Sequence, residues 1–335
     1  MQKLMLHALL GVVFGLSLAA SVHSRAEPGS TGNAPVEVAA ALDALTRGLI
    51  GYIGVAAEDM TTGKQVFLNG EEPFPMASTY KVAIAVTLLA KVDAGELSLT
   101  DMIELNDDEW VVSDIIASNF IHPGVALSVA NVMEVMITHS DNTATNVALR
   151  LAGGPEAVNR QLEKLGISGM HVDRTTSDYS RDFYQQEPGR QNLAKAIRNL
   201  SANPAMASDP QPAFEADPLD KSTPRAMLSL LTALYQGKTV SEESTAFLLG
   251  IMSRTVTGPG RLRGLLPRKT PVAHKTGTLG GVANDVGYIT LPDGRRFAVV
   301  VFTRGSHTLP SDRDRAIAEV ARTLFDYFML VADSP

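Results

Sequence analysis

The sequence predicts a mixed α/β (α+β) domain. Both chain ends supply strands to one antiparallel sheet, helices flank that sheet, and a helical subdomain is inserted between its two halves. Three observations carry this expectation. Strand-like runs near each end are joined by turn sequences of hairpin type, the middle of the chain has helical periodicity, and no internal repeat interrupts the pattern.

Taken in order, Val36 to Leu49 places Val38, Leu42, Leu45 and Leu49 at helical spacing, with Gly48 weakening the end. Tyr52 to Ala57 and Gln65 to Leu68 read as short strands joined by Met60-Thr61-Thr62-Gly63-Lys64. In the middle, Val129, Val132, Met133, Met136 and Ile137 share one helical face, with Asn131 and Glu134 opposite. Thr223-Pro224 supplies a helix start and Gly237 a stop around Met227, Leu230, Leu231 and Leu234. Val286 to Leu291 and Phe297 to Thr303 flank the turn Pro292-Asp293-Gly294-Arg295, and a last helix begins near Ser311. The segment from Ser177 to Leu219 stands apart: it holds five prolines (Pro188, Pro204, Pro210, Pro212 and Pro218), and only Asn192 to Leu200 has a helical pattern. It is too long for an ordinary connection, which marks it as functional or mobile.

The chain has 335 residues, 45% hydrophobic and 19% charged, a globular mixture long enough to bury a core. Its net charge of −7 argues against a nucleic-acid partner held through phosphates. The absence of cysteine excludes thiol catalysis, thiolate metal sites and disulfides, and the scattered histidines give no metal motif, so no metal and no cofactor are expected. Met1-Gln2-Lys3, an apolar run from Leu4 to Ala20 and the small-x-small exit Ser24-Arg25-Ala26 read as a secretory signal over residues 1–26. The competing reading is a membrane anchor, for which the run is at the short limit. Residues 27–335 are then one catalytic domain, expected to be periplasmic or secreted, monomeric and without a stable membrane anchor, with a helical subdomain at about 71–238.

Three strings carry chemistry: Ser78-Thr79-Tyr80-Lys81, Ser140-Asp141-Asn142 and Lys275-Thr276-Gly277. Ser78 and Lys81 lie nearly one helical turn apart, so Lys81 Nζ is expected to reach Ser78 Oγ. A serine hydroxyl needs a base before it attacks, and lysine serves only if burial or a neighbouring cation lowers its pKa; Lys275 is a candidate for that neighbour. Alone, each string has a plain structural reading: a capping serine with a solvated lysine, a helix cap, a strand end. Together, in this order and in these contexts, they point to acyl transfer through an active-site serine.

At these residues the chain resembles the class A serine β-lactamases and the related penicillin-binding proteins, over essentially all of the sequence after the signal. The resemblance implies that Ser78 is the nucleophile, Lys81 its activating partner and Ser140 the proton shuttle to the lactam nitrogen. It further implies that Asn142 holds the substrate's side-chain amide. Lys275, Thr276, Gly277 and Thr278 line the site from the late strand and bind the carboxylate there, with Ser78 and Thr278 N–H groups as the oxyanion hole. Arg261, 14 residues before Lys275, is the candidate carboxylate-binding arginine; neighbouring Arg263 reads as solvated. Asp173-Arg174 and Asp220 resemble the two ends of the family's Ω-loop, which implies an Arg174–Asp220 salt bridge across its neck.

The sequence also departs from the family. Thr176 stands where the family's deacylating glutamate is expected and Ser180 where its partner asparagine is expected. The Ω-loop, about 174–220, is much enlarged. Three readings follow. Another carboxylate replaces the glutamate, with Glu187 before Pro188 the first candidate and Asp178, Asp182 and Glu215 behind it. Or Lys81 serves both half-reactions. Or acylation is slow and the natural substrate is a D-alanyl peptide or ester. The expected function is a β-lactamase acting on small-molecule β-lactams. The alternatives are a D,D-peptidase or esterase on the same scaffold and a non-catalytic β-lactam or cell-wall-fragment receptor.

Overall fold

The structure is a computed structural model and describes residues 36–49, 51–120 and 122–330. The secretory-signal expectation for residues 1–26 lies outside the described residues.

Five strands form the main sheet: β1 (Tyr52–Asp59), β2 (Gln65–Leu68), β3 (Val272–Leu279), β4 (Val282–Thr290) and β5 (Arg296–Arg304). They lie in the order β2-β1-β5-β4-β3, all antiparallel, and the two chain ends meet where β1 pairs β5 from Tyr52↔Arg304 to Asp59↔Phe297. The central strands read as unbroken apolar runs because both faces of the sheet are covered. Along β5, Ala298, Val300 and Phe302 enter the core on one face, and Val299 and Val301 enter the core on the other. Side chains alternate with period two, so one run feeds two cores.

Around the sheet lie α1 (Val36–Thr46), α2 (Lys81–Asp93), α3 (Val129–Thr138), α4 (Asn142–Ala152), α5 (Leu193–Ala202), α6 (Pro224–Tyr235), α7 (Glu242–Ser253) and α8 (Pro310–Leu330). Leu42 of α1 joins Ile317, Val320, Leu324 and Phe328 of α8 in the core on one face. The core on the other face contains Met227, Leu230, Leu231 and Leu234 of α6. The α6 helix starts as its sequence requires: Thr223 Oγ1 caps Ala226 N–H at 3.0 Å and Pro224 occupies the first turn. Every residue of α2 from Lys81 to Leu89 is buried, the signature of a helix apolar on all sides inside a domain.

One departure from expectation has a physical reason. Strand β4 begins at Val282 rather than Val286, because Asn284 and Asp285 are buried polar residues that break the apolar pattern while finding partners inside. Asn284 Nδ2 donates to the carbonyls of Pro75 and Met76, and Asp285 meets His274 Nδ1 at 2.8 Å. The long proline-rich segment is ordered into a helix at Thr176–Asp182, then α5, and short turns at Ala205–Ser208 and Pro212–Ala216.

Candidate active site

Ser78 lies on a short 3-10 turn, Ala77–Tyr80, that leads directly into α2. The turn is forced tight against β3. Ala77 has a left-handed backbone (φ 45°), and a Cβ on Gly277 would lie 2.7 Å from Met76 O and 3.1 Å from Ser78 N. Glycine at 277 is therefore what lets the strand approach the Ser78 backbone.

Lys81, fully buried, opens α2. Its Nζ donates to Ser140 O at 2.7 Å, Asn142 Oδ1 at 2.9 Å and Ser140 Oγ at 3.2 Å. The direct Lys81–Ser78 hydrogen bond expected from spacing is not among these contacts. A buried ammonium has three hydrogens to satisfy, and the Ser140–Asn142 loop supplies an acceptor for each. Lys275 Nζ reaches the same hydroxyl from β3, 2.9 Å from Ser140 Oγ, and also donates to Thr276 O at 2.8 Å. Ser140 thus joins two buried lysines. It does so from a left-handed backbone (φ 58°), a conformation non-glycine residues rarely adopt and one concentrated at functional sites.

Burial disfavours the charged form of both amines. It lowers Lys81 from the usual lysine value to about 7, against the pull of Asp141 and Asp114. Lys275 is pushed well below the ordinary range, first by burial and then by the Lys81 charge. Asp141 holds the intervening loop: its side chain caps Ala144 N–H at 2.8 Å and accepts from the N–H groups of Ile115 and Ile116.

Ser78, Ser140, Asn142, Thr276 and Thr278 line one cleft of about 330 Å³. Lys81, Lys275, Gly277, Arg261 and Glu187 are not among its lining residues. Arg261 sits behind β3 with its guanidinium committed: Nε pairs Asp314 at 2.7 Å, Nη1 donates to Gly277 O and Asn284 O at 2.9 Å, and Nη2 donates to Thr278 Oγ1 at 2.7 Å. The guanidinium thus meets Thr278 Oγ1 from behind β3. Arg263, expected to be solvated, donates instead to the carbonyls of Ser253 and Val272. Glu187 is three-quarters exposed and paired with Arg181 at 3.2 Å, so the structure does not bring its carboxylate to the cleft. The other loop carboxylates are also occupied elsewhere. Asp178 closes a capping box with Thr175, Asp182 pairs Arg174, and Glu215 accepts from Gly305 N–H.

Thr176 is buried at the cleft wall. Its hydroxyl lies 2.8 Å from Asn142 O and 2.5 Å from Asn146 Oδ1, two acceptors competing for its one hydrogen. Asn146 follows Asn142 by one helical turn on α4, a spacing from which its part in the site could have been read. Asp114, the only carboxylate among the lining residues, and Tyr184, Gln186 and Leu200 give no such signal, because tertiary packing alone brings them to the cleft. The neck of the long loop matches its expectation. Arg174 Nε donates to Asp220 Oδ2 at 2.6 Å, and the N–H groups of Asp173 and Arg174 donate to Asp220 Oδ1 at 2.8 and 3.1 Å.

The sequence profile of the Beta-lactamase enzyme family matches residues 37–328. The chain belongs to that family. Among similar proteins, Beta-lactamase VEB-1 of Pseudomonas aeruginosa is 29% identical over 287 residues, covering 83% of this chain and 85% of that protein. Extended-spectrum beta-lactamase PER-1, from the same organism, is 29% identical over 297 residues, covering 85% of each chain. A beta-lactamase from Chitinophaga pinensis DSM 2588 superposes with a TM-score of 0.73 at 30% identity, covering 87% of this chain and 99% of its own. This β-lactamase family member is thus a class A-like serine hydrolase with the mixed helix-and-antiparallel-sheet fold of its relatives.

Proposed function

We propose that this β-lactamase hydrolyses its substrate through an acyl-Ser78 intermediate and that Lys81 is the base in both half-reactions. The observation that carries the reading is the hydrogen-bonded chain Lys81–Ser140–Lys275 beside the Ser78 turn. Neutral Lys81 takes the Ser78 proton as Oγ bonds to the lactam carbonyl. The N–H groups of Ser78 and Thr278 receive the developing oxyanion. As the C–N bond breaks, Ser140 Oγ gives its proton to the leaving nitrogen and recovers one from Lys81. Lys275, Thr276 and Thr278 bind the substrate carboxylate, with Arg261 holding Thr278 in place, and Asn142 takes the side-chain amide. In deacylation water attacks the ester, Lys81 accepts its proton and returns one to Ser78 Oγ. No metal or cofactor takes part. The basic start and apolar run at the N-terminus support export, so the substrate is met outside the cytoplasmic membrane, by a monomer.

Thr176 favours a second reading, in which acylation outruns hydrolysis and the chain acts as a penicillin-binding protein-like D,D-peptidase or esterase. Without the carboxylate, deacylation loses a base worth about 10²–10⁴-fold. Time-resolved intact mass spectrometry with excess benzylpenicillin separates the readings. An adduct mapped to Ser78 that appears and then decays as penicilloate accumulates is the expected result. A persistent adduct turns the assignment to D-alanyl peptides and esters, and persistence on every substrate identifies a receptor.

A further inference from the structure

We propose that Asp285, held by His274 behind β3, is a positioning residue for Lys275: its carboxylate is the counter-charge that keeps the amine cationic beside Ser140, where the substrate carboxylate binds. The inference rests on the acyl-Ser78 reading in which Lys275 takes that carboxylate, and it names what holds the cation there.

The strand places this pair next to the lysine and on its other face. Side chains alternate along β3, so His274 leaves the strand opposite Lys275, on the side where Val272 joins the core with α8. Asp285 of β4 lies across from Thr276 and therefore shares that face. Both residues are fully buried. His274 Nδ1 lies 2.8 and 2.9 Å from the two Asp285 oxygens, and Leu262 N–H donates to Oδ2 at 3.2 Å. The backbone under the imidazole is fixed as well. Thr255 Oγ1 donates to His274 O at 2.6 Å, and a Cβ on Gly287 would lie 2.6 Å from His274 Cα, so only glycine lets β4 pack this close.

The available hydrogen bonds fix the charge of the pair. A carboxylate only accepts, so the hydrogen between the two side chains belongs to Nδ1. His274 Nε2 is buried with no partner among the described residues. An idle lone pair there costs less than a stranded N–H, so the imidazole is a neutral donor and Asp285 keeps its negative charge. A buried charge needs an opposite one nearby. The guanidinium of Arg261 is already committed to Asp314, two carbonyls and Thr278. Lys275 is the remaining cation. Burial first, and then the Lys81 charge, drives its amine toward the neutral form; Arg261 adds to both, and the Asp285 charge opposes them. Two buried amines share Ser140 Oγ, at 3.2 and 2.9 Å, yet the reaction asks for different charges on them. Lys81 must be neutral to act as a base, and Lys275 must be cationic to bind an anion. Asp285 assigns the charge to Lys275.

The test compares benzylpenicillin with its methyl ester, which has the same lactam and no carboxylate, by the second-order rate of Ser78 adduct formation followed by intact mass spectrometry. The wild type is expected to favour benzylpenicillin. Asp285→Asn keeps the size and removes the charge. It should lower that preference by about tenfold or more, the worth of a charge-assisted hydrogen bond, with the loss falling on benzylpenicillin rather than on the ester. An unchanged preference overturns the proposal, and so does an equal loss on both substrates, the mark of a merely structural pair. A second measurement needs no change at Asp285. In nitrogen NMR of the wild type labelled at histidine, His274, assigned by its loss from the spectrum of His274→Gln, should show the neutral Nδ1–H tautomer. An imidazolium there would cancel the Asp285 charge and overturn the proposal, even where Asp285→Asn does not fold. A wild type that reacts equally with benzylpenicillin and its ester overturns instead the reading that Lys275 takes the carboxylate. Absence of any Ser78 adduct overturns the acyl-serine reading beneath it, and both results are seen before any variant is made.

Discussion

Replacing Asp220 tests the neck of the long loop. Asp220 is 1% exposed and supports three donors: Arg174 Nε and the N–H groups of Asp173 and Arg174. Truncation to alanine leaves a guanidinium that is itself 6% exposed without its best partner, a loss of about 3–5 kcal/mol for a buried pair broken on one side. Two stranded N–H groups add to this, at about 1–3 kcal/mol each. Asp182 and Asp217, at 3.2 and 3.3 Å from Arg174 Nη1, offset part of it, as does the stacking of the guanidinium on Tyr179 and Phe214. The net expectation is about 4 kcal/mol for Asp220→Ala. Asp220→Asn keeps an acceptor for the backbone, tolerates the left-handed φ of 54° and removes only the charge, so about half that loss is expected. At about 2–4 °C per kcal/mol, thermal unfolding followed by circular dichroism should fall by about 10 °C for the alanine variant. Because the long loop can open locally before the domain unfolds, limited proteolysis between 183 and 219 should accelerate in the same order, alanine above asparagine. Equal melting temperatures for wild type and alanine variant, with unchanged cleavage, would refute the reasoning.

Three further outcomes follow from the site. Under the proposed mechanism Lys81 must be neutral to take the Ser78 proton, and its pKa is lowered to about 7 by burial. The kcat/KM for acylation should therefore fall by about tenfold per pH unit below that value and level off above it, with the measured midpoint belonging to the coupled Lys81–Lys275 pair. Gly277→Ala drives a Cβ to 2.7 Å from Met76 O, pushing β3 away from the Ser78 turn, and should cost about 10²-fold in acylation rate measured by stopped flow. Glu187→Gln should leave adduct decay within twofold of wild type by intact mass, since Glu187 is exposed and tied to Arg181; slower decay would return that carboxylate to the mechanism.

Much of the scaffold was legible because local pattern and burial agree. Gln65–Leu68 and Pro224–Tyr235 carry their own turn and cap signals, and the helix expected at Asn192 to Leu200 appears at Leu193–Ala202. The start of β4 was not legible, because Asn284 and Asp285 are buried for their hydrogen bonds rather than their hydropathy. In the site, the three strings mark their own residues, since each sits in a local context that a sequence displays. Placement across the fold is different in kind. Arg261 behind β3, Glu187 turned outward and Leu200 facing the cleft depend on how distant segments dock, and no periodicity encodes that.

The sheet order sets a timetable for folding. Strand β1 hydrogen-bonds to β2 nearby and to β5 near the other end of the chain, so its second edge has no partner until almost the whole polypeptide is available. Closing so long a loop adds little equilibrium cost, because the penalty grows only logarithmically with length. It weighs on the rate instead, since non-local strand pairing is slow to nucleate. The helical middle can gather around α2 early, while the two half-sheets wait for each other, and the long loop waits longer because Arg313, which donates to Ser208 O, arrives with α8. A chain stopped short of β5 would present an apolar, unpaired β1 edge ready to associate with its own copies.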